Sequence, residues 1–236
     1  MDVAQLVAGL DLGSRAGEQR PCTIVNFISS ADGRAAFHGR SGALGDEADH
    51  ELFHGLREQA DAVLAGTRTL RTERYGRLIG DPERRERRVQ AGRSPEPLAC
   101  VVTRSGDLPL DIPLFSEPDA RIVVFSPAKQ ELSGCAAQIE VVVLDPGELT
   151  LTTALRRLRA DFGVRSLLCE GGPTLFGAML RERLVDELFL TLAPKLTGGG
   201  SSPTISSGPE LTELAPLSLV WALEHSDSLY LRYAMA

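Results

Sequence analysis

The residues best placed to do chemistry are Cys169-Glu170-Gly171-Gly172-Pro173-Thr174-Leu175. An apolar run, Val164-Arg165-Ser166-Leu167-Leu168-Cys169, leads straight into them, and a helical pattern follows. Two glycines let the backbone approach a ligand closely, Pro173 suits a first helical position, and the open N–H groups of a helix start face an anion. That combination suits a pyrophosphate, with the Glu170 carboxylate beside it. A second junction of the same kind joins the buried run 61–65 to Gly66-Thr67-Arg68-Thr69-Leu70, which offers backbone N–H groups and two hydroxyls. Taken alone, that turn reads more simply as a helix cap; together the two junctions make a clamp along one sheet edge. A third strand end, Val102-Thr103-Arg104-Ser105-Gly106, supplies an arginine between hydroxyls, suited to an adenosine 2′-phosphate.

Other motifs point elsewhere. His50-Glu51-Leu52-Phe53-His54 fits H-E-x-x-H, which on a helix sets two imidazoles on one face for zinc with the glutamate as general base. A catalytic zinc needs a third protein ligand; Arg57 stands where the metzincin glycine belongs, no histidine follows until His225, and nothing frames Glu73 as a ligand. The plainer reading is an amphipathic helix with Leu52, Phe53 and Leu56 inward and both histidines toward solvent or a cleft, and no metal. Gly172 through Gly177 have a P-loop spacing, but Ala178 occupies the lysine position. No G-x-G-x-x-G follows a strand pattern, so a nicotinamide cofactor needs another mode of binding.

These residues need a scaffold, and 236 residues with 43% hydrophobic content can bury a full core. Residues 1–22 read as an N-terminal arm and 23–236 as one domain. Strand patterns occur at 23–28, 61–66, 98–103, 121–125, 139–143 and 164–169, with helices expected over 47–59 (capped by Asp46), 127–137, 151–161 and 173–182. Such alternation indicates an α/β sheet with crossover helices. After the 184–192 run, segments 217–223 and 228–234 flank His225-Ser226-Asp227 and read as an antiparallel hairpin, making the sheet mixed. The mixed-sign stretch 81–88 reads as a solvated loop, and 198–203 as a flexible connector or a loop closing over ligand.

A net charge of −7 and a pI near 5.2 exclude a broad nucleic-acid face. No apolar run approaches the roughly 18 residues that span a bilayer, and the start lacks a signal-peptide pattern, so a soluble cytoplasmic protein with no membrane partner is expected. Cys22, Cys100, Cys135 and Cys169 show no C-x-x-C pair and read as reduced, structural thiols.

Four ordered motifs resemble the reductase domain of riboflavin biosynthesis: Asn26-Phe27-Ile28-Ser29-Ser30-Ala31-Asp32-Gly33, Leu56-Arg57 with Ala60 to Gly66 and Thr69, Glu170 to Leu175, and Leu184-Val185-Asp186-Glu187-Leu188. The resemblance implies a dihydrofolate-reductase-like three-layer α/β/α fold with a mixed, mostly parallel sheet and a C-terminal antiparallel hairpin. It also implies NADPH as cofactor, a homodimer, and reduction of a phosphorylated pyrimidine, 5-amino-6-(5-phosphoribosylamino)uracil, to its ribitylamino form by hydride delivery to C1′. By position it places Thr69, Glu73 and Gly172 through Ala178, among them Pro173, Thr174, Leu175 and Phe176, along the cofactor. It sets Asn26, Ser41, Arg57 and Glu170 at the substrate, with Asp32 near the reacting end; Asp32 and Glu170 are the candidate proton donors.

Bifunctional members usually carry Lys at the Asn26 position and Asp-Asp-Pro at Glu73-Arg74-Tyr75, and they have a zinc deaminase domain whose H-x-E and P-C-x-x-C motifs are missing here. A stand-alone reductase is implied. The alternatives are a reductase of dihydrofolate or another pterin, a zinc hydrolase using His50, Glu51 and His54, and a non-catalytic nucleotide-binding protein.

Overall fold

The computed structural model describes residues 3–235. In chain order the elements are α1 (Val3–Ala8), β1 (Cys22–Ser30), α2 (Glu47–Gln59), β2 (Ala62–Gly66), α3 (Thr67–Glu73), α4 (Pro82–Gln90), β3 (Leu98–Val102), β4 (Arg121–Ser126), β5 (Gln138–Val143), α5 (Leu151–Asp161), β6 (Ser166–Cys169), α6 (Pro173–Arg181), β7 (Glu187–Ala193), β8 (Leu217–His225) and β9 (Ser228–Met235). They divide between two compact units, one of residues 3–10, 23–56 and 169–235, the other of 11–22 and 57–168.

In the first unit the strands run β1-β7-β9-β8. β1 and β7 are parallel, with Asn26 opposite Phe189, whereas β7–β9 and β9–β8 are antiparallel. The β8–β9 connection is the expected tight hairpin: Ser226 and Asp227 take left-handed φ values of 53° and 65°, the pair of signs a type I′ turn needs to match strand twist. Helix α2 begins at Asp46, whose carboxylate accepts from Asp49 N at 2.8 Å and also from Tyr230 Oη at 2.6 Å and Ser228 Oγ at 3.0 Å. One side chain thus caps the helix and ties it to β9. The segment read as an arm contains α1, which buries Val3 and Val7. A Cβ on Gly55 would stand 2.8 Å from Val7 Cγ1, so the glycine permits this close approach of α1 to α2.

The second unit orders its strands β5-β4-β3-β2, with β6 beyond β2, and the pairs β5–β4, β4–β3 and β3–β2 are all parallel. Val63, Leu64, Ala99, Cys100, Val123 and Val124 are all buried, which accounts for the continuous apolar runs where alternation would mark a half-exposed strand. Mostly parallel strands with a C-terminal antiparallel hairpin agree with the mixed sheet expected. Cys22, Cys100 and Cys169 are buried and in no disulfide, and burial pushes the Cys169 thiol up to about 12. No helix among the described residues is long and apolar enough to cross a membrane.

Two expectations fail. Residues 127–137 form turns and bends instead of a helix. The Gln130 amide donates to Ser126 Oγ and to the Ala128 carbonyl, Gly134 takes φ 85°, and Ala136 and Ala137 N–H both bond to the Phe115 carbonyl. With half-buried Leu132 as its one large apolar residue, the segment has no apolar stripe to offset the cost of helix nucleation.

The 81–88 stretch, read as a solvated loop, is largely helix α4. Asp81 caps it by accepting from Glu83 N at 2.9 Å, and Pro82 occupies the first turn. Its arginines face buried polar partners: the Glu58 carboxylate receives Arg84 at 2.8 Å and both a 2.8 Å and a 2.9 Å bond from Arg87. Burial alone would raise the Glu58 pKa, but the Arg87 and Arg84 bonds outweigh it and hold the carboxyl below its ordinary value of 4.5. A depressed folded-state pKa means that the stabilisation is complete above 4.5 and fades as pH falls through the depressed value. Glu58→Gln should therefore cost about 1–3 kcal/mol near neutral pH, and the gap from the unsubstituted protein should shrink in acid. Urea unfolding on both sides of that pH checks this.

Candidate active site

In the first unit, the stretch from Cys169 into α6 starts a helix as the sequence suggested. Gly172 is the extended N-cap of α6 (φ −63°, ψ 175°), Pro173 is in the first turn, and no side chain caps the helix. Pro173 has no N–H and the Leu175 N–H donates to the Gly172 carbonyl at 3.0 Å, so what this first turn offers an anion is the Thr174 amide and the positive end of the helix dipole. Gly171 is required by packing, since a Cβ there would meet Leu175 Cδ2 at 2.3 Å. Glu170, just before it, is only 8% exposed. Phe176 packs on Phe27 with ring centroids 4.9 Å apart and planes tilted by 39°, holding α6 against β1.

The 198–203 segment belongs to a loop folded onto α6. Gly198, Gly199 and Gly200 all have positive φ, and beyond them Ser207 N donates to the Pro173 carbonyl at 3.0 Å. The Thr174 and Ser207 hydroxyls lie 3.2 Å apart. Contact is so close that a Cβ on Gly177 would sit 2.1 Å from the Ser207 carbonyl oxygen.

The start of the same loop is fixed by Asp32. Its carboxylate accepts from Ser30 Oγ at 2.6 Å, Thr197 N at 3.1 Å, Thr197 Oγ1 at 3.1 Å and Gly198 N at 3.0 Å. The Ser30 and Thr197 bonds hold this carboxyl far below the usual carboxylate range. Asp32 is thus an anion tying two loops together, and it has no proton to give near neutral pH. Ser41 is half-buried in a neighbouring loop, where the Lys195 ammonium donates to the carbonyls of Ala43, Leu44 and Gly45 at 3.1, 2.8 and 3.3 Å. Asn26 Oδ1 is buried without a hydrogen-bond partner, an acceptor whose desolvation nothing in the protein offsets.

In the second unit, Arg57 lies in the last turn of α2, 7% exposed, and is fixed on two sides. Its Nη1 donates to the Leu78 carbonyl at 2.9 Å, and its guanidinium stands 5.1 Å over the Tyr75 ring. Gly66 is the extended N-cap of α3, which has no side-chain cap; Thr67 and Thr69 are half-buried and Glu73 is exposed. The Gly66–Val102 pairing sets this helix start beside Thr103-Arg104-Ser105. There the hydroxyls shape the turn: Gly106 N donates to Thr103 Oγ1 at 3.1 Å and Asp107 N to Ser105 Oγ at 3.2 Å, leaving the exposed Arg104 as the group that projects. His50 and His54 are exposed on α2, and no group of three or more His, Cys, Asp or Glu side chains that could hold a metal forms among the described residues.

Sequence reasoning placed the helix starts and Arg57 but missed Tyr75 and Lys195. Lys195 acts on main-chain carbonyls, and Tyr75 acts through a ring face, neither of which leaves a spacing to read.

The model of the RibD C-terminal domain matches residues 21–229. The 2,5-diamino-6-ribosylamino-4(3H)-pyrimidinone 5′-phosphate reductase of Archaeoglobus fulgidus is 29% identical over 192 residues, covering 80% of this chain and 87% of that one. Its counterpart in Methanothermobacter thermautotrophicus is 29% identical over 198 residues, covering 83% and 88%. Among solved structures, a pyrimidine reductase-like protein of Corynebacterium diphtheriae superposes with a TM-score of 0.80 at 25% identity, over 100% of this chain and 99% of that one.

The Gly177–Ser207 contact can be tested directly. Gly177→Ala should push the 201–208 segment off α6, costing about 1–3 kcal/mol, with its strand and helix content retained. Faster limited proteolysis within that segment, with an unchanged far-ultraviolet spectrum, is the expected readout.

Proposed function

We infer, because the chain belongs to the RibD C-terminal domain family, that it is an NADPH-dependent reductase converting a phosphoribosylamino-pyrimidine to its ribitylamino form, with 23–236 working as one reductase domain. What carries the reading is the match along 21–229, seconded by pyrimidine 5′-phosphate reductases aligned over at least 80% of the chain. Both stand-alone relatives are named for the 2,5-diamino compound, so that pyrimidinone stands beside the deaminated uracil as substrate.

The uncapped start of α6 fits a cofactor pyrophosphate, and it supports assigning Gly171 through Phe176 to NADPH. Gly66, Thr67, Thr69, Glu73 and the Thr103-Arg104-Ser105 turn are assigned to the same cofactor, Arg104 by its charge and exposure. Bound NADPH supplies the hydride that reduces C1′ of the ring-opened ribosylamine. Arg57, pre-oriented by Leu78 and Tyr75, offers a planar fork to the substrate phosphate, and Ser41 a hydroxyl. Asn26 Oδ1 would accept from a ribose hydroxyl or a pyrimidine N–H, which answers its lack of a partner. Of the two carboxyls, Glu170 is assigned the proton transfer, since Asp32 is kept ionised by its four donors.

Edge strand β8 exposes Leu217, Leu219 and Val220, a surface that supports pairing with a second copy as a homodimer. Buried cysteines held in no disulfide are in keeping with a cytoplasmic location.

Purified protein should consume NADPH with the 2,5-diamino or the deaminated phosphoribosylamino-pyrimidine; failure with both would sink this reading. Glu170→Gln should lower kcat by about 10²–10⁴-fold. Asp32→Asn should weaken activity through the loop while leaving the pKa values of the pH–rate profile in place. A profile that lost its limb in Asp32→Asn and kept it in Glu170→Gln would reverse the assignment.

A further inference from the structure

We propose that Arg88, on α4, is a positioning residue for Arg57: it holds the end of α2 so that the Arg57 guanidinium is presented to the substrate phosphate. This rests on the reading of Arg57 as the phosphate grip.

The geometry starts from an unmet need. α2 ends at Gln59 and β2 begins at Ala62, and neither of the two linking residues, Ala60 and Asp61, is a glycine that could close the helix. The last carbonyls of a helix lack regular partners within it, and here Arg57, Glu58 and Ala60 are all buried; Ala60 N reaches the Arg57 carbonyl and Arg93 Nη1 the Glu58 carbonyl, each at a long 3.3 Å. Arg88 Nη1 donates to all three carbonyls, at 3.1 Å to Arg57, 2.7 Å to Glu58 and 2.7 Å to Ala60, while its Nε donates to Ser94 O at 2.8 Å.

The side chain is 1% exposed. Burial, with the Arg93 charge, draws its pKa down to about 10, so it remains a cation at neutral pH, set at the negative end of the helix dipole.

The rest of α4 serves the same residue. Arg84 and Arg87 occupy both oxygens of Glu58, the residue next in sequence to Arg57, and so pin that turn of α2 to α4. Arg85 Nη1 donates to the Ile79 and Gly80 carbonyls, fixing the segment whose Leu78 carbonyl receives Arg57. Backbone and side chain of Arg57 are therefore both referred to one helix.

The test is a double-mutant cycle on the intact protein with Arg88→Met, Arg57→Met and the pair, reading KM for the phosphorylated pyrimidine and for NADPH. Arg88→Met should raise the pyrimidine KM by about tenfold or more with the NADPH KM nearly unchanged, and should add little in the Arg57→Met background. A general loss of packing would move both KM values and persist in that background, which overturns the proposal. So does a folded Arg88→Met protein with an unchanged pyrimidine KM. If Arg57→Met itself leaves that KM unchanged, the phosphate-grip reading fails first and the role of Arg88 falls with it. Arg88→Lys keeps the charge but not the fork; it should give an intermediate rise in pyrimidine KM, and it replaces Arg88→Met in the same cycle if that variant does not fold.

Discussion

A buried main-chain carbonyl or amide that leaves a helix or strand must find a partner, because water is absent and the cost of leaving it unmet is large. In this protein one charged side chain, Arg88, meets that need in the interior, and Lys195 and Asp32 make the same kind of contact at exposed loops. Arg88 takes the carbonyls at the end of α2, Lys195 those of residues 43–45, and Asp32 the amides of Thr197 and Gly198. Each fixes a loop that a weaker contact would leave mobile. Against these, the start of α6 has no side-chain cap, and its Leu175 N–H turns back to the Gly172 carbonyl. The start of α3 is likewise without a side-chain cap.

Charge is used locally. The chain is acidic overall, yet arginines concentrate on α4, where they neutralise Glu58 and reach main-chain oxygens. Arg57 stands over the Tyr75 ring and donates to the Leu78 carbonyl, so its fork is held in one orientation. Asp32 and Glu170 differ in the same manner: hydrogen bonds commit the first to the anionic form, while the second sits buried beside two glycines.

How far the sequence could be read follows from the range of each interaction. The strands of the second unit and helices α2, α5 and α6 are set by apolar runs and caps within a few residues, and all were legible. α4 was not, although Asp81-Pro82-Glu83 is a helix start, because its inward face is arginine and the partners are carbonyls on another element. The 127–137 segment has helix-forming residues but no stripe of apolar ones to bury. Asp32 could be singled out as a carboxylate near a turn; its commitment to Thr197, 165 residues away, could not. Gly177 in the same way looks like an ordinary helix residue until Ser207 is found lying against it.

The most direct measurement compares NADPH consumption with 2,5-diamino-6-ribosylamino-4(3H)-pyrimidinone 5′-phosphate against the same compound lacking its phosphate. Hydride transfer to a pyrimidine whose phosphate is gripped by Arg57 predicts turnover with the first and a fall in kcat/KM of about tenfold or more with the second. Equal efficiency with and without the phosphate, or no NADPH consumption with either, would contradict it.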